Sequence, residues 1–166
     1  MRKLKKKLKK PRKPWDKERI EREKELLKKY GLRRKREIWK AESLLRNFRR
    51  RARDLAAKKD EKGEKTLLDK LYRLGLVEKG ADLAQVLGLT VEDILERRLQ
   101  TLVFKKKLAN TPKHARQLIT HGHIAIDNRR FVYPSYLVPR ELESKISYYG
   151  DVPRQELDKK HAQTGD

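Results

Sequence analysis

Cysteine is absent from the sequence, and with it go disulfides, thiol chemistry and zinc fingers built on cysteine. Long apolar runs are missing too. No stretch drawn from Ala, Val, Ile, Leu, Met, Phe, Trp, Tyr and Cys exceeds three residues, so no membrane-spanning helix is expected. The opening run MRKLKKKLKK has no apolar centre and does not read as a secretory signal, and no lipid-attachment motif accompanies its charge. Hydrophobic residues make up only 36% of the 166, too few for one large core. Acidic residues are scarce, 24 against 46 Lys and Arg, which leaves a net charge of +22. A chain so one-sided repels itself unless a polyanion neutralises it, so nucleic acid is the expected partner.

Chemistry is as scarce as acid. There is no glycine-rich phosphate loop, no Gly-x-Ser-x-Gly elbow and no Ser-His-Asp order. His121 and His123 flank Gly122 with only Asp127 nearby, which is a poor metal set. The expectation is no catalytic residue, no metal and no cofactor.

The basic residues are unevenly spread. Residues 1–14 hold nine basic and no acidic residues, with Pro11 and Pro14, and read as a disordered basic arm. Residues 15–59 carry a net +10, residues 60–89 are near neutral, residues 90–150 carry +5, and the tail 151–166 carries −1 and reads as flexible. DKERIEREKELLKKY (16–30) has the form of a helix closed by Gly31, with its acids early and its lysines late. A second helix is expected from Glu37 to about Lys58, with Ile38, Ala41, Leu44, Leu45, Phe48, Ala52 and Leu55 in one stripe. Arg46, Arg50 and Arg53, together with Trp39, fall away from that stripe. A solvated face would mix both signs, and this one does not, so these arginines are candidate phosphate contacts. TLLDKLYRLGLV (66–77) and ADLAQVLGL (81–89) read as short packing helices ending at Gly75 and Gly88. Thr90, with Asp93 three residues on, opens a helix whose stripe is Val91, Ile94, Leu95, Leu99 and Leu102. Arg98 falls inside that stripe, as either a structural residue or a ligand, and Arg97 points away from it, toward a polyanion.

The most informative stretch is TPKHARQLITHGHIAIDNRRFV (111–132). Thr111 suits an N-cap, Pro112 the first helical position, and Gly122 the stop. At 100° per residue Pro112, Ala115, Leu118 and Ile119 share one side. Lys113, Arg116, Gln117, Thr120 and His121 share the other, with His114 at its edge and no carboxylate among them. A hairpin comes next, with Ile124 and Ile126 alternating, Asp127-Asn128 as a turn at positive φ, and Phe131 to Tyr133 returning. Arg129 and Arg130 sit just past the turn, placed to reach outward. Pro134 and Pro139 interrupt the segment beyond Tyr133 and imply short edge strands.

ILERRLQTLVFKKKLANTPKHARQLITHGHIAIDNRRFVYPSYLV resembles the small RNA-binding module named after ribosomal protein S-four. The marks are Arg98-Leu99, the Ala-Arg-x-Leu-Ile run at 115–119, His123-Ile124 and Pro134-Ser135. Upstream, PWDKERIEREKELLKKYGLRRKREIWKAESLLRNFRR is similar to the N-terminal part of the archaeal S-four family, so the likeness covers about residues 11 to 150. Two positions depart from it: Lys107 stands where the family has a glycine, and Asp127-Asn128 where it has Asn-Gly. The resemblance implies an α+β fold: a mostly helical N-terminal lobe (15–89), then a small helix-turn-helix with a β-hairpin or small antiparallel sheet as the RNA-binding domain (90–150). It also implies a cytoplasmic, non-enzymatic primary binder of small-subunit ribosomal RNA that acts early in assembly, supports translational accuracy near the mRNA entrance, and touches ribosomal protein S-five. No membrane and no second copy of the chain are expected as partners. Lys105, Lys106 and Lys107 join Arg97, Arg98, Lys113, His114, Arg116, Gln117, Thr120, His121, Arg129 and Arg130 as candidate RNA contacts, with Arg46, Arg50 and Arg53 upstream. An RNA-modifying enzyme with the same module would need a further catalytic domain, and residues 1–89 are too short, too basic and too helical for one. A DNA-binding architectural protein fits the charge but not the helix-plus-hairpin unit.

Overall fold

The computed structural model describes residues 8–150. Residues 1–7 of the expected arm and the whole of the expected tail lie outside the described residues. The chain separates into two compact units between Arg97 and Arg98.

In the first unit, α1 (Lys17–Lys29) starts where Asp16 accepts the Arg19 N–H and stops at Gly31, whose φ of 58° turns the chain back. α2 (Lys35–Lys58) begins two residues before the expected Glu37, because the Glu37 carboxylate reaches back to the Arg33 N–H (3.2 Å) and secures the first turn. Its buried residues Ile38, Ala41, Leu45, Phe48 and Ala52 lie on the anticipated stripe, while Leu44 and Leu55 are only half-buried. α3 (Glu61–Arg73) starts five residues earlier than expected, since Asp60 caps it through the Gly63 N–H at 3.1 Å. α4 (Leu83–Gly88) and α5 (Val91–Glu96) complete the unit, α5 opening on a full Thr90–Asp93 capping box. α1, α3, α4 and α5 all pack against α2, so its stripe organises the unit. Ile38, Leu71, Val86 and Leu95 are fully enclosed, each contributing about 1.5–3 kcal/mol by burial.

One charged group lies inside this apolar layer. Glu23 is 2% exposed, yet it accepts from Arg19 Nη1 (2.5 Å) and Trp39 Nε1 (2.9 Å) and pairs with Lys35 Nζ (3.2 Å). Burial alone would raise its pKa. The bonds from Trp39, Arg19 and Lys35 outweigh that and hold it below the usual carboxylate range. Residues 8–14 are irregular but not free of contacts, because the Lys9 N–H donates to Ser43 Oγ (3.1 Å) and Arg19 Nη2 donates to the carbonyls of Lys13 (2.8 Å) and Pro14 (2.9 Å).

The second unit corrects the expected helix through residues 90–102. That helix breaks at Arg97–Arg98, where Arg98 is extended (φ −74°, ψ 144°) and bridges to Leu137. The unpaired N–H groups of the new helix start find acceptors outside it: Leu99 donates to Tyr136 O (2.8 Å) and Gln100 to Pro134 O (3.3 Å). Beyond the break come α6 (Leu99–Lys105), α7 (Pro112–His121), β1 (Ile124–Ile126), β2 (Arg129–Arg130), α8 (Arg140–Glu143) and β3 (Ile146–Tyr148). The sheet is antiparallel in the order β2-β1-β3, with Ala125 opposite Arg130 on one side and Ser147 on the other. β2 is shorter than the return expected through Tyr133. The segment between the two prolines gives one isolated bridge, and the second edge strand arises later, at Ile146. Leu99, Leu102, Val103, Ala115 and Ile119 from α6 and α7 meet Ile124, Ile126, Val138 and Ile146 in a single core.

Candidate nucleic-acid interface

α7 carries the central group of the candidate residues. The Thr111 hydroxyl accepts the His114 N–H (3.1 Å), Pro112 starts the helix, and Gly122 (φ 78°) ends it. Ala115 and Ile119 are wholly buried while Leu118 is only half-buried. On the opposite side Lys113, Gln117, Thr120 and His121 are exposed, and His114 and Arg116 are half-buried. The expected grouping therefore holds, and Lys113 to His121 present donors without a carboxylate among them.

Several groups are more constrained than their positions in the sequence suggest. Arg116 Nη1 reaches Gln100 Oε1 at 3.4 Å, and Gln100 Nε2 donates to Pro112 O at 2.9 Å. Gln100, 1% exposed, thus ties α6 to α7 and orients Arg116 from beneath. A polar residue lodged between Leu99 and Leu102 was the signal for it. The Thr120 hydroxyl bonds back to the Arg116 and Gln117 carbonyls (3.0 Å each), leaving its lone pairs for a ligand. Arg130 does not project outward: its Nη2 donates to His121 O (2.9 Å), and the guanidinium covers Gly122, where a Cβ would lie 2.0 Å from Nε. Gly122 is therefore needed for its φ, and a Cβ there would push the Arg130 guanidinium aside. Arg129 is exposed across from Ile126, and the Asp127 carboxylate beside it pairs with Lys145 (3.0 Å).

The turn after α6 adds Lys105 and Lys107, both exposed, and the half-buried Lys106. Lys107 takes φ 57°, the left-handed conformation that the family's glycine would supply, and the bonds from Lys107 N to Phe104 O (2.9 Å) and from Leu108 N to Val103 O (3.1 Å) close the helix end. The turn keeps its glycine-type shape while carrying a cation. Asp127 and Asn128 likewise adopt φ 55° and 61°, as a tight hairpin turn requires. Lys107→Gly should stabilise the second unit by about 0.5–1 kcal/mol through relief of left-handed strain. It should also make the salt dependence of RNA binding shallower by roughly 0.7–0.9 per log unit, the share of one phosphate contact. Urea denaturation with RNA titration at several salt concentrations checks both, and an unchanged midpoint would mean the lysine sits there without strain.

Other expected contacts separate from this group. Arg98 is 4% exposed and belongs to the interior of the second unit. Arg97 is half-buried, its guanidinium carbon 2.8 Å from where a Cβ on Gly75 would stand, so it packs in the first unit rather than pointing away. Trp39 turns inward to Glu23 and leaves the arginine group. Arg46, Arg50 and Arg53 are exposed along one side of α2, with Arg53 Nε donating to Arg49 O at 3.4 Å. Among the described residues no group of three or more His, Cys, Asp or Glu could hold a metal ion, and no helix is long and apolar enough to cross a membrane.

A helical pair closed by a three-stranded antiparallel sheet, with a carboxylate-free helix face and a cationic turn, defines a small α+β module, and residues 97–143 match the S4 domain family. The chain is 55% identical over 150 residues to the small ribosomal subunit protein uS4 of Ignicoccus hospitalis, covering 89% of this chain and 90% of that one. It is 50% identical over 151 residues to the protein of the same name from Methanosphaerula palustris (86% and 83% covered) and 50% over 155 residues to that from Methanothermobacter thermautotrophicus (92% and 91%). The chain belongs to the uS4 family of small ribosomal subunit proteins.

Proposed function

We propose that this chain is a structural, non-enzymatic constituent of the cytoplasmic small ribosomal subunit and binds ribosomal RNA there. The observation that carries the reading is the α7 face, where Lys113, His114, Arg116, Gln117 and His121 offer donors, Thr120 offers its hydroxyl oxygen, and no carboxylate is present. Lys105, Lys106, Lys107 and Arg129 extend that cationic surface. Arg130 joins them through the end of α7, and Arg46, Arg50 and Arg53 make a second set on the first unit. Phosphates neutralised by such a surface fix position, and the amide of Gln117 suits a base edge or a ribose hydroxyl. In this reading Arg97, packed over Gly75 in the first unit, and Arg98, in the interior of the second, serve their own units rather than acting as ligands.

The family implies finer roles that we include in the proposal: early binding in assembly, a place near the mRNA entrance with contact to the messenger, and contact with ribosomal protein S-five. Residues 1–14 serve as a basic arm and 151–166 as a tail. Crosslinking the protein in cells and sequencing the attached RNA tests the core of the reading. Small-subunit ribosomal RNA should dominate the recovered sequences, with crosslinked peptides from α7 and the 105–107 turn. Recovery dominated by another RNA class, or by DNA, would overturn it.

A further inference from the structure

Trp15 is 90% exposed, the largest apolar side chain left in solvent among the described residues. Its backbone, by contrast, is held on both sides. Arg19 Nη2 grips the carbonyls of Lys13 and Pro14, Arg19 Nη1 is anchored on buried Glu23, and Glu23 is itself held by Lys35 and Trp39. On the other side Asp16 caps α1. Pro14 restricts the chain just before the indole. Successive layers of bonding thus fix a segment that presents a bare indole ring to solvent. Lys9, Lys10, Arg12, Lys13 and Lys17, its neighbours in sequence, are all exposed cations. The neighbouring carboxylates are engaged, Asp16 by the Arg19 N–H and Glu18 by Arg22 at 3.6 Å.

We propose that Trp15 is a stacking platform for an unpaired nucleobase of the RNA this protein binds. The inference rests on the RNA-binding reading above and adds to it a site outside the S4-type module. A flat exposed indole in a cation-rich segment matches the two faces of a single-stranded nucleotide, π-surface to base and cation to phosphate. Bases inside a duplex are already stacked and offer no free face. Because the backbone at Trp15 is fixed in advance, little ordering entropy is lost when the base lands.

The probes are a single-stranded RNA oligonucleotide and a fully paired RNA duplex of equal charge, titrated into the full-length protein. Single-stranded RNA should quench the emission of exposed Trp15, and the duplex should not. Trp15→Ala should weaken single-strand binding about tenfold, the loss expected for one stacked base, while leaving duplex binding unchanged. Trp15→Phe should retain most of the affinity and lose the quench. Unaltered thermal melting of both variants shows that the fold is intact, as expected for so exposed a residue. If wild-type protein binds both RNAs but Trp15→Ala binds them equally well, the stacking site is overturned, the indole is left to a protein neighbour, and the RNA-binding reading stands. If wild-type protein binds neither, that reading falls first.

Discussion

Raising the salt from about 50 to about 200 mM should weaken binding to structured RNA by a thousandfold or more, the loss expected for six to ten phosphate contacts. The size of the loss rests on exposure. Lys105, Lys107, Lys113, Arg129 and Arg130 in the second unit, and Arg46, Arg50 and Arg53 in the first, are all exposed cations. Arg130 keeps part of its guanidinium open to solvent although Nη2 is bonded to His121 O, and each phosphate that such cations neutralise gives up a bound counterion. At roughly 0.7–0.9 per phosphate, the slope of log K against log salt should be near −6. Fluorescence anisotropy across a salt series measures it. A slope shallower than about −2 would mean that most of these cations face water in the complex, and the interface would have to be rebuilt around neutral contacts.

Ile119→Ala should cost about 3–4 kcal/mol of folding free energy. Ile119 is wholly buried among Leu99, Leu102, Val103, Ala115 and Ile124, and removing its methyl groups leaves a cavity in a core with little else to fill it. A unit this small has only a few kcal/mol to lose, so the variant should be largely unfolded in that unit and should bind RNA poorly for that reason alone. Arg116→Ala should show the opposite balance. It should cost about 1–3 kcal/mol in RNA affinity and, because its guanidinium also bonds Gln100 Oε1, about 0.5–1.5 kcal/mol in folding. Leu118→Ala, at a half-buried position, should cost distinctly less than Ile119→Ala. Denaturation curves paired with RNA titrations at fixed salt separate the two effects. Should Arg116→Ala unfold the protein as severely as Ile119→Ala while the folded fraction binds normally, the roles of the two faces of α7 would be reversed.

The reach of the sequence is set by the physics of each element. Helix ends announced by a side-chain cap or a following glycine, such as Gly31, Thr90, Thr111 and Gly122, were legible because the signal is local. So was the sharing of a face along α7, which needs only the 3.6-residue period. The break at Arg97–Arg98 was not legible. The local pattern there continues as a helix, and what interrupts it is a set of acceptors more than thirty residues away, at Pro134 and Tyr136. The same holds for β3, which pairs with β1 across some twenty residues. Burial of Gln100, the inward turn of Trp39 and the folding back of Arg130 onto His121 are likewise tertiary facts. They decide which candidate residues of the interface face outward and which are already bound in place.

The division of the chain between Arg97 and Arg98 leaves each unit contiguous in sequence. Lys29 and Tyr30, for instance, find their partner Glu92 without any residue of the second unit. During synthesis the first unit can therefore close as soon as α5 clears the exit tunnel, while the lysine turn at 105–107 and α7 are still being made. At the usual pace of elongation each further ten residues take on the order of a second, ample time for a helical unit to settle. The nascent protein would then offer its two cationic surfaces to RNA one after the other, with α2 arriving first.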